Sequence, residues 1–193
     1  MSRPSLKSQR RQQIAEAFLT VFSDHGFAKS TTIAVAAEAG MAPSILHHYF
    51  DTKEDMLLAA ASTLAARLSS RFADFIENEH SLEDYVTAAL RTGPRADTRS
   101  ARAWVSLFAQ GVANPAIARW LRSFVQEQLA LIQKLEPRFS KHDAAALLAY
   151  VIGCLVVGAF APSAVAGFAE ARGRLLVTAL RSGAISIVPS TSK

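Results

Sequence analysis

Residues 43–49 read Pro-Ser-Ile-Leu-His-His-Tyr, a run of donors, acceptors and apolar edges that could either do chemistry or recognise a surface. A histidine pair first raises the question of a metal. Adjacent helical residues diverge by about 100°, so His47 and His48 do not converge on one ion. No further His, Cys or carboxylate completes a ligand spacing around them. A nucleophile elbow, a phosphate-binding glycine loop and a paired-carboxylate site are also missing from the sequence. Asp51, Glu54 and Asp55 do cluster, but at a helix start, where capping accounts for them. No catalytic residue, metal or cofactor is therefore expected, and an all-helical enzyme is the weaker alternative.

Positioning such a run requires short elements on either side, and Thr31–Asp55 supplies them. Thr31 and Thr32 can cap a helix that runs to Gly40. The small Ala36 lets a second helix pack closely, and Gly40 can adopt the left-handed conformation of a tight turn. Ile33, Val35, Ala39, Met41 and Leu46 are expected to face inward. Pro43 suits the first turn of the next helix. That helix is left with Pro43, Ser44, Ile45, His47, His48 and Tyr49 on a polar and aromatic outer surface. This is the composition of a recognition helix, whose N-terminal half reads base edges in the major groove of DNA. Surface histidines without a partner are the alternative for His47 and His48, and a core role is the alternative for Tyr49. Thr52-Lys-Glu-Asp55 has capping-box form with Asp replacing Glu. It opens a long helix expected to bury Leu57, Ala60, Leu64, Leu68, Phe72 and Phe75.

Thr31–Leu58 closely resembles the N-terminal domain of TetR-family transcriptional regulators. Thr32, Ala36, Ala39-Gly40, Leu46, Tyr49-Phe50, Lys53 and Leu57 carry the likeness. Thr32, at a helix N-terminus, can hold a phosphate with its hydroxyl and its free N–H. Lys53, at the start of the long helix, can do so by charge and helix dipole. The resemblance implies that His48 and Tyr49 contact phosphates, and that Ser44, Ile45 and His47 touch bases. A serine can donate or accept, and an isoleucine can meet a thymine methyl. Pro43 departs from the polar residue often found there and offers van der Waals contact only. The basic arm Lys7–Arg11 is expected along the DNA backbone, with a solvated helix start as its alternative.

The rest of the chain repeats the helical grammar. Ile14, Ala17, Phe18, Val21 and Phe22 mark a first helix over about Ser5–His25, stopped by Gly26. Ser81-Leu-Glu-Asp84 and Ser140-Lys-His-Asp143 are further capping signals, and Thr92–Thr98 reads as a loop. Helices are expected over Thr98–Val112, from Asn114-Pro115 to Pro137, over Asp143–Phe160 and over Ser163–Ser182. No clean strand alternation appears outside the short terminal Ala184–Val188. The fold class is all-α, with about nine helices. It comprises a helix-turn-helix DNA-binding domain over 1–52, a ligand-binding and dimerisation bundle over 53–185, and a tail over 186–193.

Arg102–Leu121 reads RAWVSLFAQGVANPAIARWL, an Ala-Trp motif with a following Phe ahead of a short loop with Pro and another amphipathic helix. On it Ala101–Glu136 is similar to the choline-responsive betaine-synthesis repressor subfamily. Such a regulator implies a small-molecule effector, for which Phe72, Trp104, Phe108, Trp120, Phe124, Tyr150 and Cys154 are the candidate lining. That lining suits an apolar or aromatic effector, or a cation over aromatic faces. Residue by residue the stronger reading is an ordinary core, which an aromatic stripe at helical spacing usually marks, and Cys154 reads as an inert thiol. The uncharged helix from Asp143 and the final helix are expected to pair two copies into a homodimer, which a palindromic operator requires. A regulator of this fold working without a small ligand is the alternative.

Composition agrees. The 193 residues are 50% apolar and 19% charged, which excludes disorder, and the single Cys154 excludes a disulfide scaffold. The net charge of +5 hints at an anionic partner, though residues 1–55 balance six basic against six acidic side chains. Ala144–Ala169 is 26 residues without a charge. Pro162, the Ala/Gly/Val content and the lack of an aromatic belt argue against a membrane span. With no secretory signal in Met1–Gln13, a cytoplasmic location is expected.

Overall fold

A computed structural model describes residues 5–77, 81–90 and 98–185. Among the described residues there are ten helices: α1 Leu6–Lys29, α2 Thr32–Ala39, α3 Pro43–Leu46, α4 Lys53–Glu77, α5 Leu82–Ala89, α6 Thr98–Ala113, α7 Pro115–Leu135, α8 Lys141–Phe160, α9 Pro162–Val165 and α10 Ala169–Arg181. The all-α expectation holds. The extra helix arises where one was expected over Ser163–Ser182. Ala166 turns extended at ψ 136, and Gly167 takes φ 85, so α9 stops and α10 starts afresh. The Thr92–Thr98 loop and the end of Ala184–Val188 lie largely outside the described residues.

Local chemistry starts most of these helices. Ser81 and Asp84, and likewise Ser140 and Asp143, form complete capping boxes, each side chain reaching the other residue's backbone N–H. Thr52 and Asp55 do the same at the head of α4, with both N–H bonds at 3.0 Å. Asn114 Oδ1 accepts from the N–H groups of Ala116 and Ile117, ahead of Pro115. Gly26, at φ 76 and ψ 175, breaks helical geometry where the first helix was expected to stop. One further turn then carries α1 to Lys29.

The chain packs as two compact units, one from residues within 1–69 and 99–121, the other from residues within 70–98 and 122–193. The boundary expected after residue 52 falls at the head of α4, inside the first unit. The first unit is built around Ile14, Phe18 and Phe22 of α1, Val35 and Ala36 of α2, Leu46, Phe50 and Leu57, all of them buried. The Phe18 and Phe22 rings stack at 6.1 Å. Leu57, Ala60 and Leu64 of α4 are buried as expected, Leu68 is half-buried, and the side chains of Phe72 and Phe75 lie outside the described residues.

In the second unit α5 and α8 pack on α10. Leu82, Tyr85, Val86 and Leu90 are buried there, as are Leu147, Val151 and Val177. Gly173 makes the close approach possible, because a Cβ there would sit 2.5 Å from Val86 Cγ1.

Candidate nucleic-acid interface

The α2–turn–α3 segment is held by its own backbone. Thr31 caps α2, its hydroxyl accepting from Ala34 N–H at 3.2 Å. Gly40 ends the helix in the left-handed conformation, at φ 64 and ψ 37, and Met41 N–H returns to Ala36 carbonyl at 2.9 Å. α3 starts at Pro43 and covers one turn. Its C-terminal continuation is fixed by Tyr49 and Phe50 N–H donating to the Leu46 carbonyl at 2.9 and 3.0 Å.

Leu46 and Phe50 anchor this segment, at 1% and 3% exposure. Pro43, Ser44, Ile45, His47 and His48 are exposed and Tyr49 is half-buried. Five of the six candidate contact side chains are thus open to solvent beside the buried Leu46 and Phe50, with Tyr49 partly covered. Thr32, in the first turn of α2, is half-buried. One inward expectation fails. Ile33 is 72% exposed, because the buried face of α2 is set by Val35, Ala36 and Ala39, and Ile33 lies about 200° from Val35 around the axis. Met41 is only half-buried.

Two cations expected on phosphates have protein partners. Lys53 Nζ donates to the Ala28 carbonyl at 3.3 Å and stands 4.2 Å from the centre of the Phe27 ring. Burial lowers its pKa, a change that Glu54 partly offsets. Arg11 donates to the Tyr49 carbonyl and lies over the Phe50 ring at 4.1 Å. Gln13 adds a bond from α1 to the Ala39 carbonyl at 2.9 Å. None of these links is visible as a local sequence signal, since the partners are 25 to 38 residues apart.

The seven candidate effector residues divide between the units. Trp104 stacks on Trp120 at 6.3 Å and tilts against Phe108 at 6.0 Å, all in the first unit. Phe124, Tyr150 and Cys154 belong to the second. Tyr150 hydroxyl donates to the Ala169 carbonyl at 2.8 Å. Burial, with the nearby Cys154, pushes its pKa up to about 12. The Phe72 side chain lies outside the described residues. Among the described residues no cluster of three or more His, Cys, Asp or Glu could hold a metal.

Residues 14–60 match the family of bacterial regulatory proteins, tetR family. Over that N-terminal segment the chain is similar to TetR-family regulators. The chain is 27% identical over 124 residues to the HTH-type transcriptional regulator BetI of Rhizobium meliloti, a match covering 63% of the chain and 61% of that protein. It is 27% identical over 190 residues to BetI 2 of Chromohalobacter salexigens, covering 89% and 87% respectively. A TetR transcription regulator from Haloarcula marismortui shares its fold with a TM-score of 0.79 at 20% identity, covering 90% of this chain and 98% of that one. The chain thus spans about three fifths of the first of these relatives.

Proposed function

We propose that the chain is a transcriptional regulator that binds a palindromic operator as a homodimer and releases it when a small molecule binds. The observation that carries this reading is the exposure of Pro43, Ser44, Ile45, His47 and His48 beside buried Leu46 and Phe50, inside the segment that matches the family. On this reading Ser44, Ile45 and His47 touch base edges, with Pro43 packing beside them, while Thr32, His48, Tyr49 and Lys53 hold phosphates. Lys53 keeps donors free for a phosphate beside its bond to Ala28. Residues 1–52 form the reading head and 53–185 the ligand-binding and dimerisation part, with a tail beyond.

The dimer reading is supported by α8. Ala145, Ala149, Gly153 and Val157 recur every four residues and all are exposed. Phe160 ends the helix at 77% exposure. This helix is long and apolar enough to cross a membrane, with only 28% of its apolar window buried. A second copy covers that face on the present reading, which places the protein in the cytoplasm.

Effector control is supported by the aromatic residues of the larger part and by the BetI names of the relatives. α4 runs from the reading head, through residue 69 of the first unit, into the second, and carries the ligand signal. A thousandfold release needs about 4 kcal/mol of preference of the ligand for the non-binding state. Footprinting on the DNA upstream of the gene tests the reading. Two protected half-sites about 10 base pairs apart, or a multiple of that, support it. No protected segment refutes it.

A further inference from the structure

Arg11 is exposed on α1, yet its guanidinium is engaged within the chain, which a purely solvated helix start does not require. Its guanidinium reaches 38 residues along the chain to the carbonyl of Tyr49. The central carbon of the same group stands 4.1 Å from the centre of the Phe50 ring. Tyr49 and Phe50 directly follow the exposed face of α3 and are bonded to Leu46 in its last turn. The Tyr49 carbonyl is where the helical ladder of that segment runs out, and a cation is the favoured partner for such a group. The planar fork of an arginine can donate in its plane and stack through its face at once, which a lysine cannot reproduce.

We propose that Arg11 is a positioning residue for DNA reading. It ties α1 to the C-terminal end of the recognition segment, and so sets the pose in which Ser44, Ile45 and His47 meet the bases. The inference rests on the DNA-reading function proposed above. Its consequence differs from that of a phosphate ligand. A residue that sets pose governs the preference for the correct sequence. A residue that neutralises a phosphate strengthens binding to every sequence and steepens the salt dependence by about 0.9 in log–log slope.

Fluorescence anisotropy separates the two. The full chain is titrated on its upstream DNA and on a scrambled duplex across a salt series, as wild type, Arg11→Gln, Arg11→Lys and Lys7→Gln. Lys7 is exposed on the same helix and serves as the comparison for a plain surface cation. Arg11→Gln is expected to lower affinity for the upstream DNA about tenfold to a hundredfold, with scrambled-DNA affinity and salt slope unchanged. Arg11→Lys keeps the charge, so its salt slope matches wild type while its sequence preference falls. That variant carries the test should Arg11→Gln fail to fold. Equal losses on both duplexes with a slope lower by about one in Arg11→Gln, or a wild-type preference in Arg11→Lys, overturn the proposal. Wild-type protein showing no preference refutes the regulator reading itself, before any variant is compared.

Discussion

Arg181 Nε lies 2.6 Å from Oε2 of Glu136, and the same guanidinium donates to Glu83 Oε1 at 2.7 Å. Glu136 also accepts from Arg138 at 2.8 and 3.0 Å. One buried carboxylate thus ties α10 to the α7–α8 connection, and through Arg181 to α5. The Arg138 bonds do most to bring the Glu136 pKa down to about 2; burial opposes them and Arg181 adds to them. Glu83 is also lowered: burial acts against ionisation there but is outweighed by Arg181.

A pH dependence follows. A carboxylate whose folded pKa lies below its unfolded value stabilises the fold above the unfolded pKa, and that contribution is lost as pH falls through the folded one. For Glu136 the full contribution is present above about pH 5 and disappears toward pH 2. Thermal unfolding of wild type is expected to drop over that window, with roughly 3 kcal/mol as the upper bound from Glu136. Glu136→Gln flattens the curve there and lowers stability at pH 7. Parallel curves for the two proteins would count against this.

Two glycines should fail for different reasons. Gly40 has open space around an added Cβ but sits at φ 64. Gly40→Ala is expected to cost about 1–2 kcal/mol by backbone conformation alone, and Gly40→Asn less. Gly173 has ordinary geometry, yet an added Cβ meets Val86 at 2.5 Å and Tyr150 at 3.2 Å. Gly173→Ala should cost about 1–3 kcal/mol through overpacking, with Asn worse still. Urea unfolding of the four variants checks the reversed order.

Base and phosphate contacts should separate by sequence dependence. Ser44→Ala and Ile45→Ala are each expected to cost about 1–3 kcal/mol on the upstream DNA and little on scrambled DNA. Thr32→Val and His48→Gln should weaken both alike. Anisotropy titrations on the two duplexes measure the ratio directly.

The outward face of α8 gives a test of self-association. Val157, 44% exposed, lies at the centre of its C-terminal half. Val157→Arg places a charge in the proposed interface and is expected to shift sedimentation from dimer to monomer, with operator affinity falling in step. An unchanged dimer places the interface elsewhere.

What the sequence made legible was local. The capping pairs Thr52–Asp55, Ser81–Asp84 and Ser140–Asp143 are three residues apart, and their side chains meet wherever a helix starts. Gly40 was legible because a turn between two short helices leaves few residues able to take its conformation. The orientation of Ile33 was not, since apolarity alone does not tell which side of an eight-residue helix is covered. Gly167 carried a signal for the break before α10, but it fell inside the single helix expected over Ser163–Ser182. The tethers of Arg11 and Lys53 depend on residues brought together by folding, so the sequence showed two basic side chains and left their partners unstated. The aromatic candidates illustrate the same limit, because helical spacing marks burial and not which unit a ring joins.

The central claim is that the surface from Pro43 to Tyr49 reads DNA. Its most direct test is the binding of wild-type protein to its own upstream DNA beside a scrambled duplex, followed by anisotropy across a salt series. The account predicts a preference of about 10³ or more for the native sequence, with a steep salt slope. Equal binding to both duplexes, or none at low salt from folded protein, contradicts it.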